Sequence, residues 1–526
     1  MKKALSAICM VILGAAFTFA QQLGESEKNA IRTFFEEGCY IECSSPSGEF
    51  TIIKKQSVVS VQDKKNSTIL IVTDNGSTSV EWKSIKSDSS GNLKIKIKNP
   101  GQDQAASHKS SDAGPKYSDG GKVLTIYSWN DEFMNRLQNF YPGYDPKTDR
   151  IGDVKINWVI KPAGNEYLGE LDEALSEQNE ASSENKIDLF LIEADYALKY
   201  TDSPRTLDIK ADLGFTDENL SKQFRYTKDI GTADGKLKAL TWQGCPGGML
   251  YRRSIAKEVF GTDDPDKIQE LLSDWEKFNK AAEKAKAKGY FMVSGTDDTY
   301  RVFSDNRKTP WVIDGEINID DSINEWISQQ KEFSENGCHN NADLWSYEQF
   351  LGAQKYGKVF CYFGPSWFID YVIEPQSEST SGDWAFCKGP QGFFWGGSWI
   401  CAATGTDNIS IVKDIMEKLT TDDKIMERII RVTGDFVNNE SVMKAIAEDS
   451  KFEKKFLGGQ NPFRFFIESA KSVDKSNITI YDADIDSGIT AAMKNFFNGR
   501  ISEGNAWENF YEQVMNLHPN LTRPED

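Results

Sequence analysis

Apolar and polar positions in the middle of the chain follow two alternating periods. Short, nearly continuous apolar runs predict buried strands, and segments with an apolar residue at every third or fourth position predict helices between them. The strands are predicted at 122–129, 154–160 and 187–192, and the helices at 130–141 and 166–178. Because strands that alternate with helices usually build a parallel sheet, this pattern predicts an α/β fold.

The first hundred residues follow a different pattern. Apolar residues occur there at every second position in several short runs, which predicts strands with one buried face. These runs are Glu49–Lys54, Ser57–Val61, Thr68–Thr73, Thr78–Trp82 and Leu93–Ile97, with turn signals at Asn75-Gly76 and Gly91-Asn92. We therefore predict a small antiparallel all-β module over residues 21–100, opened by a short helix from Glu25 to Glu37. Residues 101–121 are rich in Gly, Ser and Asp and lack an apolar period, which is typical of a linker.

Tryptophan residues gather at two turns in the second half of the chain. The run GKVFCYFGPSWF at 357–368 predicts a buried strand and a Gly-Pro turn that presents Trp367 at the start of a helix. The run GFFWGGSWICAA at 392–403 places Trp395 and Trp399 around a Gly-Gly pair. Ligands in α/β folds bind at strand ends, and an indole offers a flat apolar face. We therefore predict that both turns line one binding cleft.

Other tryptophans have a structural interpretation. Apolar residues recur at helical spacing along 265–288, which predicts one long helix there. Trp275 belongs to its apolar face, so we predict that it packs in the core. Trp326 and Trp507 also lie on predicted helix faces and are expected to pack in the same way.

The N-terminus has the form of a secretory signal peptide. Lys2 and Lys3 precede an apolar run from Ala4 to Phe19, and Thr18-Phe19-Ala20 offers a small residue at the cleavage point. We therefore expect residues 1–20 to be removed and the protein to be periplasmic or extracellular. The alternative is a segment that stays in place as an anchor. No later stretch of about 20 apolar residues occurs, so we expect a soluble mature chain.

The composition is acidic. The formal net charge of the 526 residues is −19, and loss of Lys2 and Lys3 makes it −21. Such a surface repels nucleic acids and anionic lipids, so we expect neither as a partner. Aromatic residues make up 12% of the chain, which favours a cleft lined with rings.

Eight cysteines are present, and seven remain after loss of the signal peptide, so at least one is unpaired. Cys39 and Cys43 are candidates for a local disulfide, and two of Cys361, Cys387 and Cys401 are candidates for a bridge near the cleft. Zinc binding at Cys39 and Cys43 is the other possibility, but no second ligand pair follows them. We therefore expect neither a metal nor another cofactor.

A series of short motifs identifies a resemblance. In chain order they are Trp129-Asn130-Asp131, Asp188-Leu189-Phe190, Glu193-Ala194-Asp195, Asp234-Gly235-Lys236-Leu237, the Gly248–Arg252 strand, Phe260-Gly261, Ser273–Phe278, the Gly357–Trp367 segment and Gly396-Gly397. With these motifs, the chain from residue 122 onward resembles the solute-binding proteins of carbohydrate ABC importers, the family that includes the maltose-binding proteins.

The resemblance implies a two-lobe periplasmic-binding-protein fold of type II, in which a sugar is clamped between α/β lobes joined near residues 240 and 393. Lobe one is expected at 122–240 and 394–445, and lobe two at 241–393 and 446–526. It also implies a monomer without enzymatic activity that delivers its solute to a membrane permease with a separate ATPase. The chain itself has no G-x-x-x-x-G-K-[ST] motif for ATP. It departs from the family in its β module, its many cysteines and Thr241-Trp242, which replace an expected proline.

Rings and polar groups that suit a sugar recur at the predicted strand ends. An indole covers the C–H face of a pyranose, and burying ~100 Å² there contributes ~2–3 kcal/mol. The predicted ligand-binding residues are Trp129, Asp131, Glu193, Asp195, Trp242, Gln243, Asp297, Arg301, Trp311, Trp367 and Trp399. Some have a structural alternative: Asp131 as a helix cap, Trp399 as packing, and Arg301 as a surface ion pair.

Two other functions fit the same residue types. An exported glycosidase needs paired carboxylates near rings, and Glu193 with Asp297 is the candidate pair. Rings with carboxylates also suit cations, so a polyamine or a ferric complex is the alternative solute. The resemblance favours capture of a sugar or oligosaccharide for an ABC importer.

Overall fold

The computed structural model describes residues 116–524 and, nearer the N-terminus, seven strands between residues 41 and 96. The chain divides into two compact units, Met1–Ala113 and Gly114–Asp526. The predicted signal peptide, the predicted helix from Glu25 to Glu37 and most of the predicted linker lie outside the described residues.

The N-terminal unit contains two sheets. Its strands are β1 (Ile41–Ser44), β2 (Phe50–Ile53), β3 (Val58–Lys64), β4 (Thr68–Thr73), β5 (Gly76–Glu81), β6 (Lys86–Ser87) and β7 (Leu93–Lys96). The strand order is β2-β1-β7-β6 in one sheet and β3-β4-β5 in the other. The prediction of a purely antiparallel module was wrong at one pair, because β1 and β7 are parallel. These two strands are distant in sequence, so no hairpin turn constrains them to be antiparallel.

The strands of the second unit form two main sheets and two short hairpins. They are β8 (Val123–Ser128), β9 (Tyr144–Asp145), β10 (Arg150–Ile151), β11 (Val154–Ile160), β12 (Ile187–Glu193), β13 (Thr232–Ala233), β14 (Lys236–Leu237), β15 (Ala239–Leu240), β16 (Pro246–Arg252), β17 (Val312–Ile313), β18 (Glu316–Ile317), β19 (Cys361–Gly364), β20 (Trp384–Cys387), β21 (Phe393–Phe394) and β22 (Ser398–Ala402).

The first main sheet has seven strands in the order β15-β22-β12-β8-β11-β10-β9. Its centre is parallel, as the alternation of strands and helices predicted, because β8 pairs in parallel with both β11 and β12. Strand β22 arrives from much later in the chain and lies antiparallel to β12. This late strand brings the second aromatic turn next to the end of β12.

The second main sheet is antiparallel. Strand β16 lies in the middle, with β19 on one side and β20 and β21 on the other. Every residue of β16, β19 and β20 is buried. Both faces of this sheet are therefore covered, which explains why its strands are continuous apolar runs without alternation.

Helices cover both sheets. They are α1 (Glu132–Phe140), α2 (Asn165–Glu177), α3 (Ala197–Thr201), α4 (Arg225–Ile230), α5 (Arg253–Phe260), α6 (Pro265–Leu271), α7 (Trp275–Ala287), α8 (Tyr300–Ser304), α9 (Asp321–Asn336), α10 (Tyr347–Ala353), α11 (Glu374–Gln376), α12 (Ile409–Thr421), α13 (Asp423–Thr433), α14 (Glu440–Glu448), α15 (Phe463–Ala470), α16 (Asp482–Phe497) and α17 (Glu503–Leu517). Short 3₁₀ turns lie at Ala194–Tyr196, Glu378–Thr380 and Lys455–Leu457, and a π-helix lies at Phe368–Ile373. Within the described part of the chain, no helix has the length and apolar character needed to cross a bilayer.

The helix predicted at 265–288 is broken into α6 and α7. The Asp274 carboxylate accepts a hydrogen bond from the backbone N–H of Lys277, which caps α7 and starts a new helix axis there. Trp275 packs as predicted, because its ring stacks on Phe303 with centroids 4.1 Å apart.

Three segments connect the two main sheets, at residues 241–245, 394–398 and 434–439. They are hydrogen-bonded side by side: the N–H of Gly244 donates to the carbonyl of Phe436 (2.8 Å), and that of Trp395 to the carbonyl of Cys245 (3.2 Å). We call the part around the seven-stranded sheet lobe one and the part around β16 lobe two. The predicted lobe boundaries stay a prediction, and the predicted change of lobe at residues 445–446 lies after this third segment.

Candidate functional site

A cleft of about 460 Å³ opens between the two lobes, beside the connecting segments. It is lined by Trp129, Asn130, Asp131, Glu132, Asn135, Arg136, Glu193, Gln243, Trp345, Trp367, Tyr371, Val372, Trp395, Gly396, Gly397 and Ser398. Of the predicted site residues, the structure brings together Trp129, Asp131, Glu193, Gln243 and Trp367. Several of them follow strand ends, which is where ligands bind in α/β folds.

Three tryptophans form one side of the cleft, and we call them the indole wall: Trp345, Trp367 and Trp395. The Trp395 ring lies 5.2 Å from Trp367 and 5.5 Å from Trp345, measured between centroids. The Trp367 Nε1–H donates to the carbonyl oxygen of Trp395 at 3.1 Å, which fixes its orientation. Because that donor is used within the wall, Trp367 offers a ligand its apolar face and not a hydrogen bond.

Glycines allow the wall to form. Gly396 and Gly397 have φ angles of +70° and +104°, which residues with a Cβ rarely adopt. A Cβ on Gly396 would lie 3.2 Å from the Trp367 ring, and one on Gly397 would lie 2.9 Å from the Cys245 sulfur. The Gly-Gly pair therefore lets the second connecting segment pass directly against the rings.

Trp345 was not predicted from the sequence. It lies in the loop before α10, is 46% exposed and has a φ angle of +66°, a strained value for a bulky residue. Its backbone N–H donates to Gln349 Oε1 at 2.8 Å, which helps to hold this conformation. Neither helical nor strand periodicity marks a loop residue of this kind, so the sequence carried no signal for it.

Lobe one supplies the opposite side of the cleft. Trp129 is half-buried directly after β8 and makes edge contacts with Tyr167 and Tyr196, with centroids 5.7 and 6.4 Å away. Asn130 caps α1, because its Oδ1 accepts the N–H of Glu132 at 3.0 Å. Asp131 makes no side-chain cap and is exposed at the cleft edge, so its carboxylate is open to a ligand.

Gln243 links the cleft floor to two connecting segments. Its Nε2 donates to Glu132 Oε1 at 2.6 Å, and its Oε1 accepts the backbone N–H of Ser398 at 3.1 Å. Both ends of the amide are therefore engaged within the protein. Gln243 positions Glu132 and Ser398 and has little capacity left for a ligand.

Arg136 forms a second polar group in the floor. Its guanidinium donates to Asp435 Oδ2 at 2.6 Å, to Glu132 Oε1 at 3.3 Å and to the Tyr371 hydroxyl at 3.1 Å. These partners come from the third connecting segment, lobe one and lobe two, so one side chain connects all three. Burial and the negative charge of Asp435 raise the pKa of Glu132 to about 7.

Glu193 is the carboxylate at the end of β12. Within residues 116–524 it forms no ion pair, and its Oε2 accepts only the backbone N–H of Asp195, at 3.3 Å. Burial and the charge of Asp195 raise the pKa of Glu193 to about 8, against the opposing influence of Arg301 and Lys475. Glu193 is therefore largely protonated at neutral pH.

Asp195 and Arg301 pair with each other across the lobes. The guanidinium of Arg301 binds both carboxylate oxygens of Asp195, at 3.0 and 2.5 Å, and lies 6.0 Å from the centroid of Trp395. The two residues line a separate cavity of about 260 Å³, which has Lys475 and Asp486 in its wall. Neither residue lines the indole-lined cleft, whereas the sequence placed both residues in one site with it.

Three predicted contacts lie in the core and not on the cleft wall: Trp242, Trp311 and Trp399 are each 0% exposed. Trp242 stacks on Phe133 at 5.6 Å. The Nε1–H of Trp399 donates to the carbonyl of Thr227 at 3.0 Å, and that of Trp311 to Asp486 at 3.0 Å. Their indoles fill the gaps between sheet and helices, so packing was the correct alternative for Trp399.

Asp297 also lies away from the cleft lining. Its carboxylate accepts a hydrogen bond from Thr296 Oγ1 at 3.3 Å, and burial raises its pKa. The candidate glycosidase pair of Glu193 and Asp297 is therefore not assembled in the cleft.

The predicted bridge among Cys361, Cys387 and Cys401 is contradicted, because all three are free and buried. Cys361 and Cys387 lie on opposite sides of β16, and Cys401 lies in the other main sheet. Cys39 lies outside the described residues, so its pairing with Cys43 stays a prediction. Among the residues that the structure describes, no three His, Cys, Asp or Glu side chains cluster as metal ligands do.

The sequence matches the family of bacterial extracellular solute-binding proteins over residues 147–454. No curated protein matches it. Among solved structures, an extracellular solute-binding protein of family 1 is similar with a TM-score of 0.62 and 16% identity, over 75% of this chain and 99% of that one.

Two further structures show the same fold. An ABC-transporter-associated binding protein of B. animalis subsp. lactis Bl-04, in complex with β-1,6-galactobiose, has a TM-score of 0.57 and 15% identity, over 77% of this chain and 100% of that one. The sugar-binding protein MalE of Xanthomonas citri has a TM-score of 0.56 and 13% identity, over 76% of this chain and 98% of that one. The predicted two-lobe fold is therefore confirmed.

Proposed function

The chain belongs to the bacterial extracellular solute-binding proteins, and we propose that it captures a sugar or oligosaccharide between its lobes for delivery to the membrane permease of an ABC importer. The observation that carries this proposal is the indole wall facing carboxylates and amides across a cleft at the lobe junction. The structures with the same fold include proteins named for sugar binding, which favours a carbohydrate over other solutes.

The chemistry of the two cleft walls suits the two surfaces of a pyranose. The faces of Trp345, Trp367 and Trp395 offer apolar area for C–H groups, at ~2–3 kcal/mol for each ~100 Å² buried. Asp131 offers a carboxylate for hydroxyls, and each hydrogen bond to a charged group contributes ~1.5–3 kcal/mol. Glu193, which is protonated for the most part at pH 7, offers a carboxyl group that both donates and accepts. Micromolar affinity requires ~8 kcal/mol, which two stacked rings and a few such bonds supply.

Binding would be coupled to hinge motion at the three connecting segments. These segments are paired by backbone hydrogen bonds, so they bend as one unit while each sheet stays rigid. A solute that touches both the indole wall and Glu193 contacts both lobes and stabilises the arrangement in which they are close. The permease would then recognise this arrangement, and the predicted signal peptide would place the protein outside the cytoplasm.

A thermal-shift panel followed by calorimetry tests the proposal. Neutral mono- and oligosaccharides, amino-substituted oligosaccharides and polyamines are each added to the mature protein. A ligand at ~100 times its dissociation constant stabilises the protein by ~2.7 kcal/mol, so a true ligand raises the melting temperature. We expect at least one saccharide to do so, and we expect Trp367→Ala to remove the effect. A panel in which no saccharide stabilises the protein contradicts the proposal.

The glycosidase alternative is tested on the same samples. Incubation with each stabilising oligosaccharide, followed by an assay for new reducing ends, distinguishes capture from cleavage. We expect no more new reducing ends than a heat-treated control produces. Sustained turnover that depends on Glu193 would replace the transport proposal with an enzymatic one.

A further inference from the structure

The charged side chains that line the cleft restrict the class of sugar that it can bind. Three carboxylates line it, at Asp131, Glu132 and Glu193, while the cationic side chain in the lining is that of Arg136. Arg136 is already closely paired with Asp435, which lies 1% exposed behind it. The cleft lining therefore holds three acidic side chains and one basic one, and that basic one also pairs with Glu132, at 3.3 Å.

Glu132 and Glu193 lie on either side of one short backbone segment. Ser398 is the register partner of Glu193 between β22 and β12. The backbone N–H of Ser398 donates to Gln243 Oε1, and the Nε2 of the same amide donates to Glu132. The two carboxylates are thus linked through Ser398, and both line the same cleft as the indole wall.

Glu193 has no ion pair among residues 116–524, so a neutral ligand that covers it when the lobes close either keeps it protonated or leaves an unpaired carboxylate, which is costly in a low-dielectric site. A ligand cation between Glu193 and Glu132 stabilises the charged form of both groups. It would also lie near electron-rich indole faces, which attract ammonium groups. Indole stacking requires an apolar face in addition, and a plain polyamine has no ring to provide one.

We propose that the physiological ligand is a basic amino sugar or an oligosaccharide containing one, with its ammonium group between Glu132 and Glu193 and its ring against the indole wall. This inference rests on the proposed capture of a sugar and specifies the class of that sugar. The charged groups that face Glu193 are Asp195, Arg301 and Lys475, and those that face Glu132 are Asp435 and Arg136. Each of the three cations already has an acidic partner of its own.

Matched β-1,4-linked probes test this inference by isothermal titration calorimetry at pH 7. Short chitosan oligomers carry free amines, their N-acetylated counterparts carry none, and cello-oligosaccharides of equal length are neutral. A charge-assisted hydrogen bond makes the amine form bind ~10- to 100-fold tighter than the acetylated form. Glu193→Gln and Glu132→Gln should each reduce that preference, whereas Glu348→Gln, an exposed residue outside the cleft lining, should keep it.

Proton exchange gives a second readout that needs no variant. The raised pKa values of Glu132 and Glu193 leave them partly protonated in the free protein at pH 7. An ammonium group lowers both pKa values, so protons are released on binding, whereas burial by a neutral sugar raises them and protons are taken up. Titrations in buffers of different ionisation enthalpy measure the sign of this exchange.

The outcomes separate the two proposals. Tighter binding of amine-bearing probes with proton release supports the inference. Equal or tighter binding of neutral or acetylated probes overturns the inference and leaves sugar capture intact. Binding of none of the β-1,4-linked probes also overturns the inference, and the wider saccharide panel then decides the proposed function. Binding of spermidine without any saccharide overturns the proposed function and the inference with it.

Discussion

Trp345→Gly isolates the energy of ring stacking in the cleft. A tryptophan side chain offers up to ~250 Å², and 46% exposure leaves about 115 Å² of it open to a ligand. Covering roughly 100 Å² at ~25 cal/mol per Å² contributes ~2.5 kcal/mol. We therefore expect the dissociation constant of a captured oligosaccharide to rise by ~60-fold.

Two effects on stability oppose each other in this variant. The φ angle of +66° at residue 345 is one that glycine adopts freely, so the substitution removes backbone strain of ~1 kcal/mol or more. It also removes the ring contacts with Trp367, Phe368 and Trp395, and the buried half of the side chain contributes up to ~3 kcal/mol. We expect a modestly lower melting temperature with the fold retained. Circular dichroism and calorimetry on the same preparation measure both quantities.

Tyr356→Ala is the matched control, because Tyr356 is an aromatic residue of the same lobe that is 88% exposed and lies outside the cleft lining. It should change neither the affinity nor the melting temperature. The reasoning is refuted if Trp345→Gly keeps full affinity while remaining folded, or if the Tyr356 variant loses affinity equally.

Three further variants test other parts of the account. Trp399→Ala should lower the free energy of unfolding by ~3–5 kcal/mol through loss of core packing, and weaker binding without destabilisation would contradict its assignment to the core. Glu193→Gln should gain roughly 2–4 kcal/mol of stability relative to the unmodified protein between pH 5 and pH 8.5. The reason is that the folded-state pKa of Glu193, about 8, lies above the unfolded value, so the unmodified protein loses stability as pH rises toward 8, whereas the Gln variant does not. Identical pH profiles of the two melting temperatures would refute this. Asp195→Asn should weaken the cross-lobe pair with Arg301. We therefore expect a larger radius of gyration for the ligand-free protein in small-angle scattering. An unchanged radius would show that the pair does not restrain the lobes.

Strand ends and turn chemistry were predictable because they leave local signals. The apolar run at 357–363 followed by Gly-Pro located Trp367 just after β19, and the ends of β8 and β12 located Trp129 and Glu193. In each case the residue lies at the end of a buried strand or within three residues of it. The edge at which that strand ends decides the position of the residue, whatever the rest of the fold does.

Burial and loop conformation were not predictable in the same way. Trp399 lies in the second aromatic turn and Trp242 in the first connecting segment, yet both side chains are fully buried in the core. The direction of a ring at such a turn depends on the helices that pack over it from distant parts of the chain. Trp345 is the opposite case, because it lines the cleft from a loop, with a left-handed backbone conformation and no periodic sequence pattern around it.

Contacts between segments that are distant in the sequence were also not predictable. Arg301 and Asp195 were both selected as sugar contacts, but they neutralise each other across 106 positions of sequence. The third change of lobe was predicted at residues 445–446, after the connecting segment at 434–439 that contains Asp435, because nothing in the sequence of that segment marks a passage between lobes. Such pairings depend on the tertiary fold and not on local propensity.

A crystal structure of the protein with a stabilising oligosaccharide tests the central claim most directly. The account predicts a sugar ring stacked against Trp345, Trp367 or Trp395, with its polar edge toward Glu193 and the lobes closed over it. A sugar bound elsewhere on the chain, with the cleft between the indole wall and Glu193 left empty, would contradict the account.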